Sequence, residues 1–363
     1  MSIEDLPSLF RNPRIQVEIN GWSVNSVLHA EVITRAFGRS SNFELTLSIS
    51  TRQAENQWLE ATNGVVGTSM VLSDPVSGEK TRIFEGLADS LDFNPLKKVA
   101  IIRGRDYSSL LSTTIVQQSF SNLTASEVAS VFAARHGLEA TITPTYTRIG
   151  SYRGGSHNQM LLNAHSRFTN EWGLLRYLAQ IEDLNLAVEG KTLIFGPSLQ
   201  ADQPRMVIDV RKTESIKFRR ICPLSYQTKI VVKSWNTWQA EAVTHEEYQN
   251  PAASSDKDIS ASGSNEGNVF LKPNLSATEA ERWAGKYMRL LQRRSVGVDI
   301  LMPGETSLRS GDVIAVTGSG TSFDQDYIIV SLRRCFSPMK GLVQYLHAEA
   351  LQAQKPVIAP EVL

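Results

Sequence analysis

The stretch SATEAERWAGKYMRLLQRR, residues 276–294, predicts the long helix around which the chain is organised. It begins with Ser276 and Glu279, a capping box in which hydroxyl and carboxylate bind backbone N–H groups that no helical carbonyl can reach. Its apolar residues recur at steps of three and four, on one face: Ala280, Trp283, Ala284, Tyr287 and Leu291. Because such a face must pack against another element, we expect this helix to join the strand-rich blocks on either side of it.

A group of arginines, Arg289, Arg293 and Arg294, ends this helix. A nucleic-acid patch is one interpretation of the group. However, the helix dipole favours cations at this end, and no wider basic surface accompanies them. We therefore interpret the three side chains as a solvated helix end.

The chain opens with a strand-rich block. Ile15, Val17 and Ile19 alternate with polar residues, and Asn20-Gly21 supplies a turn that tolerates positive φ. This alternation predicts a strand over 15–19, and two further strands are predicted over 27–36 and 43–49. The chain is therefore expected to open with three successive antiparallel strands. Further strands are predicted at 69–72, 81–92 and 98–104, separated by turns that include Asp74-Pro75, Ser77-Gly78 and Asn94-Pro95. We expect a small barrel or sandwich over residues 1–105.

The pattern changes after residue 105. Thr124 and Glu127 form a second capping box and predict a helix over 125–136. Another helix is predicted over 171–183, followed by a hairpin over 184–195. The loop Gly150–Ser156 lacks the context of a phosphate loop, so we interpret it as a plain loop. Residues 106–212 are therefore expected to form a small α+β domain.

A second strand-rich block is predicted over residues 213–363. Its strands are expected at 214–218, 227–234, 296–301, 312–317, 327–333 and 342–350, and the last two form a hairpin across 337–341. The stretch 250–268 is too polar to pack and is expected to be a flexible loop. Trp235, Trp238 and Tyr248 precede it, either as anchors for a neighbouring subunit or as cross-strand packing. The two strand-rich blocks are expected to repeat one barrel plan.

Composition limits the function classes. The 363 residues carry 37 basic and 37 acidic side chains, so no net field draws the chain to nucleic acid or anionic lipid. The first residues do not resemble an export signal, and no run of eighteen apolar residues could span a membrane. Cys222 and Cys335 are too few and too far apart for a zinc site, and we expect two buried thiols, with a single long-range disulfide as the alternative. The main partner is expected to be another protein.

Residues with catalytic potential do not form a recognisable set. The six histidines lack metal-binding spacing: His29, His136, His157, His165, His245 and His347. Ser319 is predicted in a hairpin turn rather than in a nucleophile elbow. Glu171, Glu182 and Asp183 could supply a carboxylate pair for sugar hydrolysis, but they lie at helix ends, where charges are common. We therefore expect no enzyme, with no catalytic, cofactor-binding or metal residues and no cofactor.

Several stretches together resemble one family. The most telling are NEWGLLRYLA at 170–179 and GKTLIFGP at 190–197. Others are GW at 21–22, ITR at 33–35, SNFELTLS at 41–48, EGL at 85–87, RGRD at 103–106, NLT at 122–124 and LRSGDVI at 308–314, with Ser310 where proline is commoner. They resemble the tail hub proteins of contractile-tailed phages, the phage late control D family, which includes the Mu-like tail hub, and the hub part of type VI secretion spike proteins.

This resemblance implies an α+β, strand-rich fold with two tube-protein-like antiparallel β-barrel domains flanking the small α+β domain. It implies a structural baseplate hub: a homotrimeric ring that adapts the six-fold tail tube to the three-fold central spike. The implied partners are the tail tube or tube-initiator protein, the spike protein and other baseplate proteins, with no specific nucleic-acid binding. The implied locations are the virion tail baseplate and, during assembly, the host cytoplasm.

The family's spike proteins carry a long β-helix after the hub region. No β-helix repeat follows that region before Leu363, so the spike is expected to be a separate polypeptide. The middle α+β unit is similar to small wall-binding modules, so a peptidoglycan-binding or peptidoglycan-cleaving tail component is the alternative function. A DNA-handling protein is a further class, which the balanced charge disfavours.

Overall fold

The computed structural model describes residues 14–24, 26–49, 66–73, 80–152, 160–162, 168–197, 203–221, 229–236, 240–248, 268–272 and 275–351. Some sequence predictions lie outside these residues: the turns Asp74-Pro75 and Ser77-Gly78, His157, His165, Cys222, Trp238 and the expected flexible loop as far as residue 267. Asn268, the last residue of that loop, is the first of a strand.

The described residues of the first β-rich unit form the strands β1 (Arg14–Ile19), β2 (Trp22–Val24), β3 (Val27–Arg35), β4 (Asn42–Ser48), β5 (Gly67–Ser73), β6 (Lys80–Asn94) and β7 (Val99–Asp106). Asn20 and Gly21 both have positive φ, so the predicted turn is present, and it joins β1 to the short strand β2 in a tight hairpin. Alternate residues such as Phe43, Leu45 and Leu47 are buried in one core. Of the three successive strands predicted at the start, the second and third pair antiparallel as β3 and β4, whereas the first, β1, pairs with β2 and β5 instead of with β3.

The middle unit is a small α+β structure. Its elements are α1 (Ser108–Thr113), β8 (Phe120–Ser121), α2 (Ala125–Arg135), β9 (Glu139–Ile142), β10 (Ser151–Tyr152), β11 (Met160–Leu162), α3 (Glu171–Glu182), β12 (Asn185–Glu189) and β13 (Thr192–Gly196). The capping box of Thr124 and Glu127 forms as predicted. Apolar residues from both longer helices, among them Phe132 and Leu178, share a core with Phe195 of β13.

The second β-rich unit follows. Its elements are β14 (Met206–Asp209), a 3-10 turn (Val210–Lys212), β15 (Ser215–Arg220), β16 (Lys229–Asn236), β17 (Glu241–Tyr248), β18 (Asn268–Leu271), α4 (Ala277–Ser295), β19 (Val296–Pro303), β20 (Val313–Thr317), β21 (Asp326–Ser337) and β22 (Gly341–Ala350). Strands β16, β17 and β18 form a separate sheet. Helix α4 packs on that sheet through a shared core.

Helix α4 is the predicted long helix, and its capping box of Ser276 and Glu279 is present. Trp283 and Tyr287 are buried in its packed face, and the Tyr287 ring stacks on Phe270 of β18 with centroids 3.7 Å apart. The expected solvated end was wrong in one respect. The Arg293 guanidinium lies over the Phe37 ring, 4.3 Å from its centroid, and burial lowers the Arg293 pKa. The end of α4 is thus packed against the loop between β3 and β4.

Within the described residues, one sheet of 13 strands contains strands of both β-rich units, because β21 pairs with β3. The α+β, strand-rich class with two β-rich units around a small mixed unit is therefore confirmed. The domain bounds at 105 and 212 stay predictions, and β14, which falls inside the predicted middle range, pairs with β20. No helix in the described ranges is long and apolar enough to cross a membrane.

Candidate assembly surface

The two β-rich units share a plan of five strands, called here the repeated plan. In the first unit these strands are β3, β4, β5, β6 and β7; in the second they are β15, β19, β20, β21 and β22. The pairing gives the order β3-β4-β7-β6-β5 in the first unit and the order β15-β19-β22-β21-β20 in the second, and all these pairs are antiparallel. The same chain order thus gives the same sheet order twice.

The repeated plan extends to single residues. The β6–β7 and β21–β22 ladders each have one irregularity, at Asp89 and at Val330. Just before it, the amide of Ala88 donates to the carbonyl of Val66 at 2.8 Å, and the amide of Ile329 donates to that of Asp312 at 2.9 Å. A bulge shifts register by one residue, so its shared position aligns the two hairpins. After the bulge, β6 residues 90–94 correspond to β21 residues 331–335.

The internal junction is the pairing of β21 residues 331–336 with β3 residues 30–35. One face of it is largely apolar, because Val32, Leu332 and Phe336 are buried there. The Thr34 hydroxyl adds a hydrogen bond to the carbonyl of Leu332 at 3.4 Å. The junction therefore continues both the backbone ladder and the core from one β-rich unit into the other.

Charged groups occupy both faces of the internal junction. Arg333 forms a 2.7 Å ion pair with Glu31 across the junction, and the hydrogen bond to Glu31 raises the Arg333 pKa. The Cys335 thiol lies 3.7 Å from the same carboxylate, and burial raises its pKa. On the core face, Arg334 is buried, and desolvation lowers its pKa to about 10. Since Cys222 lies outside the described residues, the predicted state of the two thiols stays a prediction.

The side chain of Arg334 is held by a loop of its own unit. Its guanidinium donates to the carbonyl of Glu305 at 3.0 Å and to that of Leu308. A buried guanidinium needs such acceptors, because an unpaired buried cation is strongly destabilising. The loop between β19 and β20 therefore holds β21 in position for its pairing with β3.

The middle unit is fastened to both neighbours. The Trp172 indole N–H donates to the carbonyl of Gly38 at 3.2 Å, and the amide of Gly38 donates to that of Leu186 at 2.8 Å. From α4, Lys286 pairs with Asp183 at 3.1 Å. These contacts join α3 and the β12–β13 hairpin to the loop between β3 and β4 and to the second unit.

The carboxylates considered for sugar hydrolysis do not form an open pair. Glu171 is fully buried and bound by Arg135 and by the His136 ring, whose Nε2 lies 2.6 Å from its carboxylate. Asp183 is the left-handed C-cap of α3, and burial raises the pKa of Glu182. The favourable position of a carboxylate at a helix N-terminus therefore explains only part of the role of Glu171, which also binds two basic side chains. Sequence spacing could not identify its partners, because they lie on α2 rather than on α3.

The remaining candidates are also structural. Ser319 lies in the loop between β20 and β21, where its hydroxyl donates to Asp324 at 2.6 Å, and this hydrogen bond lowers the Asp324 pKa. His347 pairs with Asp299 across β22 and β19 at 2.6 Å. Within the part of the chain that the structure describes, no group of three or more His, Cys, Asp or Glu side chains could hold a metal ion.

Two of the three aromatic residues singled out in the sequence are described. The Tyr248 hydroxyl donates to Glu246, and its ring lies beneath the Lys229 ammonium, 5.3 Å away. Trp235 lies opposite Ala242 in the β16–β17 ladder and is 56% exposed. Cross-strand packing thus accounts for Tyr248, whereas Trp235 remains available as an anchor.

Comparison with solved structures gives the fold a context. A tail protein from Neisseria meningitidis matches with a TM-score of 0.66 and 13% identity over 93% of this chain and 96% of its own. The 43 kDa tail protein of prophage MuSo2 from Shewanella oneidensis matches with 0.64 and 12% over 93% and 98%. The E. coli protein c3393, described as a type VI secretion component similar to the T4 tail proteins gp27 and gp5, matches with 0.57 and 10% over 95% and 80%.

Sequence comparison gives no such match: no family model fits the chain, and no curated protein sequence does either. The structural likeness nevertheless extends over more than nine-tenths of the chain. The resemblance to phage tail proteins and type VI spike-related proteins is therefore confirmed at the level of the fold.

Proposed function

We propose that this protein is the structural baseplate hub of a contractile phage tail. Three copies form a ring that adapts the six-fold tail tube to the three-fold central spike. The repeated plan carries this proposal, because a chain with two equivalent β-rich units presents six of them in a trimer. One face of the ring contacts the tail tube or tube-initiator protein, and the other contacts the spike and further baseplate proteins.

Two further observations support a structural role without catalysis. The fold is shared with phage tail proteins over nearly the whole chain. Glu171, one of the carboxylates considered for sugar hydrolysis, is fully buried and paired with two basic side chains. In this proposal the protein acts through its surfaces in the virion tail, after assembly in the host cytoplasm.

The mass of the particle in solution tests the ring. Light scattering at increasing protein concentration is expected to approach three times the chain mass of 40.2 kDa. A strictly monomeric particle at the highest concentration would contradict the proposal. Incubation with cell-wall sacculi is the matching control. If a monomer is retained on the sacculi, or releases muropeptides from them, the result would favour the peptidoglycan-binding or peptidoglycan-cleaving alternative.

A further inference from the structure

Among the described residues, the repeated plan has one position that a strand fills in the second β-rich unit and that no strand fills in the first. In the second unit, β21 residues 331–336 pair with β3. In the first unit, the equivalent residues 90–94 of β6 pair with β7, and no other strand among the described residues covers their second edge. This second edge is called here the open β6 edge.

A candidate strand for that position exists in the same chain. By the repeated plan, β15 is the equivalent of β3. It pairs with β19, and the described part of the chain places no strand on its other side. Unpaired backbone donors and acceptors on a strand edge favour pairing with a further strand. We propose that β15 of a second copy of this chain pairs antiparallel with the open β6 edge, as β3 pairs with β21 within one copy.

The repeated plan also fixes the register of this pairing. Leu45 of β4 pairs with Ala30 and Ile102, and Ile300 of β19 pairs with Ile216 and Leu346. Leu346 pairs in turn with Leu332, and Ile102 with Leu91. These pairings define which residues of the two units occupy equivalent positions. Residues of the first unit and their equivalents in the second are Ala30 and Ile216, Val32 and Phe218, Ile33 and Arg219, Leu91 and Leu332, Asp92 and Arg333, and Phe93 and Arg334.

Transferring the internal register to these equivalents gives the contacts between two copies. Arg333 lies opposite Ile33, so Asp92 lies opposite Arg219 of the second copy. Arg334 lies opposite Val32, so Phe93 lies opposite Phe218 of the second copy. The transfer used only backbone pairings, yet it places an acid opposite a base and an aromatic ring opposite another. Both kinds of cross-strand pair are stabilising.

The faces of the two strands are complementary as well. On β6, Leu91 and Phe93 are half-buried, whereas the Asp92 side chain is 65% exposed. On β15, Phe218 is half-buried and the Arg219 side chain is 56% exposed. Pairing the strands places Phe218 beside the apolar face of Leu91 and Phe93, sets Leu91 opposite the exposed Arg220 of the second copy, and brings two exposed charges of opposite sign together. Asp92 already contacts Arg103, and Arg219 contacts Asp299, so the new ion pair extends two existing ones.

This pairing deepens the proposed function and rests on it, because it also explains closure. Each copy offers one open β6 edge and one β15 edge on its two β-rich units. Contacts of this head-to-tail kind close into a ring when the rotation allows. In a ring of three copies, the internal junction alternates with the junction between copies.

Cysteine cross-linking tests the register. In a Cys222→Ser, Cys335→Ser background, Asp92→Cys with Arg219→Cys places two thiols directly opposite, with Cβ atoms about 4.5–5.5 Å apart. Mild oxidation is expected to give linked dimers and trimers on a non-reducing gel. The matched control is Asp92→Cys with Lys217→Cys, a diagonal pair about 7–8 Å apart, which is expected to cross-link severalfold less. Phe93→Cys with Phe218→Cys is a second directly opposite pair.

The outcomes separate this inference from the proposed function. Trimeric mass with no cross-link from either opposite pair, or with no preference over the diagonal control, overturns the strand pairing and leaves the hub standing. Cross-links from both opposite pairs in particles other than trimers support the pairing and contradict the ring. Monomers without cross-links contradict both.

Discussion

The two long hairpins β6–β7 and β21–β22 have equivalent neighbouring strands and a bulge at the equivalent position, but they differ at one edge. The edge of β21 is covered by β3, whereas no strand among the described residues covers the edge of β6 at residues 90–94. The difference teaches that one chain can form a strand pairing between its own two units and also expose the two edges that are equivalent to that pairing. The internal junction then serves as a template for the contact between copies.

The two edges carry different side chains at equivalent positions. Buried Arg334, held by backbone carbonyls, occupies the place that Phe93 has in the first unit, and Arg333 occupies that of Asp92. An edge filled within the chain can satisfy a buried cation with a fixed loop. An edge filled by another copy presents an aromatic ring and a surface charge, which tolerate exposure before assembly.

The largest effect is expected for Leu332→Ala at the internal junction. Leu332 is fully buried between β3 and β22, so its truncation removes packing and leaves a cavity. We expect a loss of about 2–5 kcal/mol in the free energy of unfolding, measured by denaturant titration of dilute protein. The equivalent Leu91→Ala is the matched control and should lose under about 1.5 kcal/mol, because Leu91 is half-buried. Equal losses at both positions would erase the difference between the two edges.

Arg334→Ala is expected to have the next largest effect. The substitution removes charged hydrogen bonds to the carbonyls of Glu305 and Leu308 inside the core face. Hydrogen bonds of a charged group contribute about 1.5–3 kcal/mol each, but the substitution also removes the desolvation cost of the buried cation, so we expect a net loss of about 1.5–3 kcal/mol in thermal or denaturant unfolding. No measurable loss would mean that the loop between β19 and β20 does not hold the junction.

Ser276→Ala tests helix α4, which lies in the chain between β15 and β19, whereas a short loop joins the equivalent strands β3 and β4. The Ser276 hydroxyl accepts from the amide of Glu279 at the start of α4, and losing an N-cap costs about 1 kcal/mol. Thr124→Ala, which removes the equivalent cap of α2 in the middle unit, is the control. Hydrogen exchange should show faster exchange in the first turn of α4 for one variant and of α2 for the other. Faster exchange spread evenly over the chain would show that the caps are not local.

The smallest effect is expected for Arg333→Gln. Its ion pair with Glu31 is partly exposed, and pairs of this kind contribute about 0.2–1 kcal/mol. We expect the loss to shrink as salt is added, because salt screens exposed charges. A loss that is large, or that does not change between low and high salt, would mean that Arg333 contributes mainly through packing.

Much of the local structure could be predicted from the sequence. Both capping boxes, the three longer helices and most strands of the repeated plan follow from hydroxyl and carboxylate spacing and from apolar alternation. Strand β17, EAVTHEEY, was missed because its polar composition hides the alternation. Strand β14 was assigned to the middle range because its partner β20 lies far along the chain.

The assembly surface was harder to foresee. The repeat of two strand-rich blocks was predicted, but equivalent positions such as Phe93 and Arg334 differ in chemistry, so the residue-by-residue equivalence follows from the strand pairings and not from the amino-acid identities. The partners of Glu171 were hidden for a similar reason, since Arg135 and His136 reach it only once α2 packs on α3. Long-range contacts follow from packing, which sequence spacing does not encode.

Hydrogen–deuterium exchange of the unmodified protein at low and high concentration tests the account most directly. If copies pair through these edges, amides within residues 90–94 and within β15 should become protected as concentration rises. Amides of the internal junction should be protected throughout, because β3 already pairs with β21. Exchange in residues 90–94 and β15 that stays unchanged while the particle becomes trimeric would contradict the claim that the chain repeats its internal junction between copies.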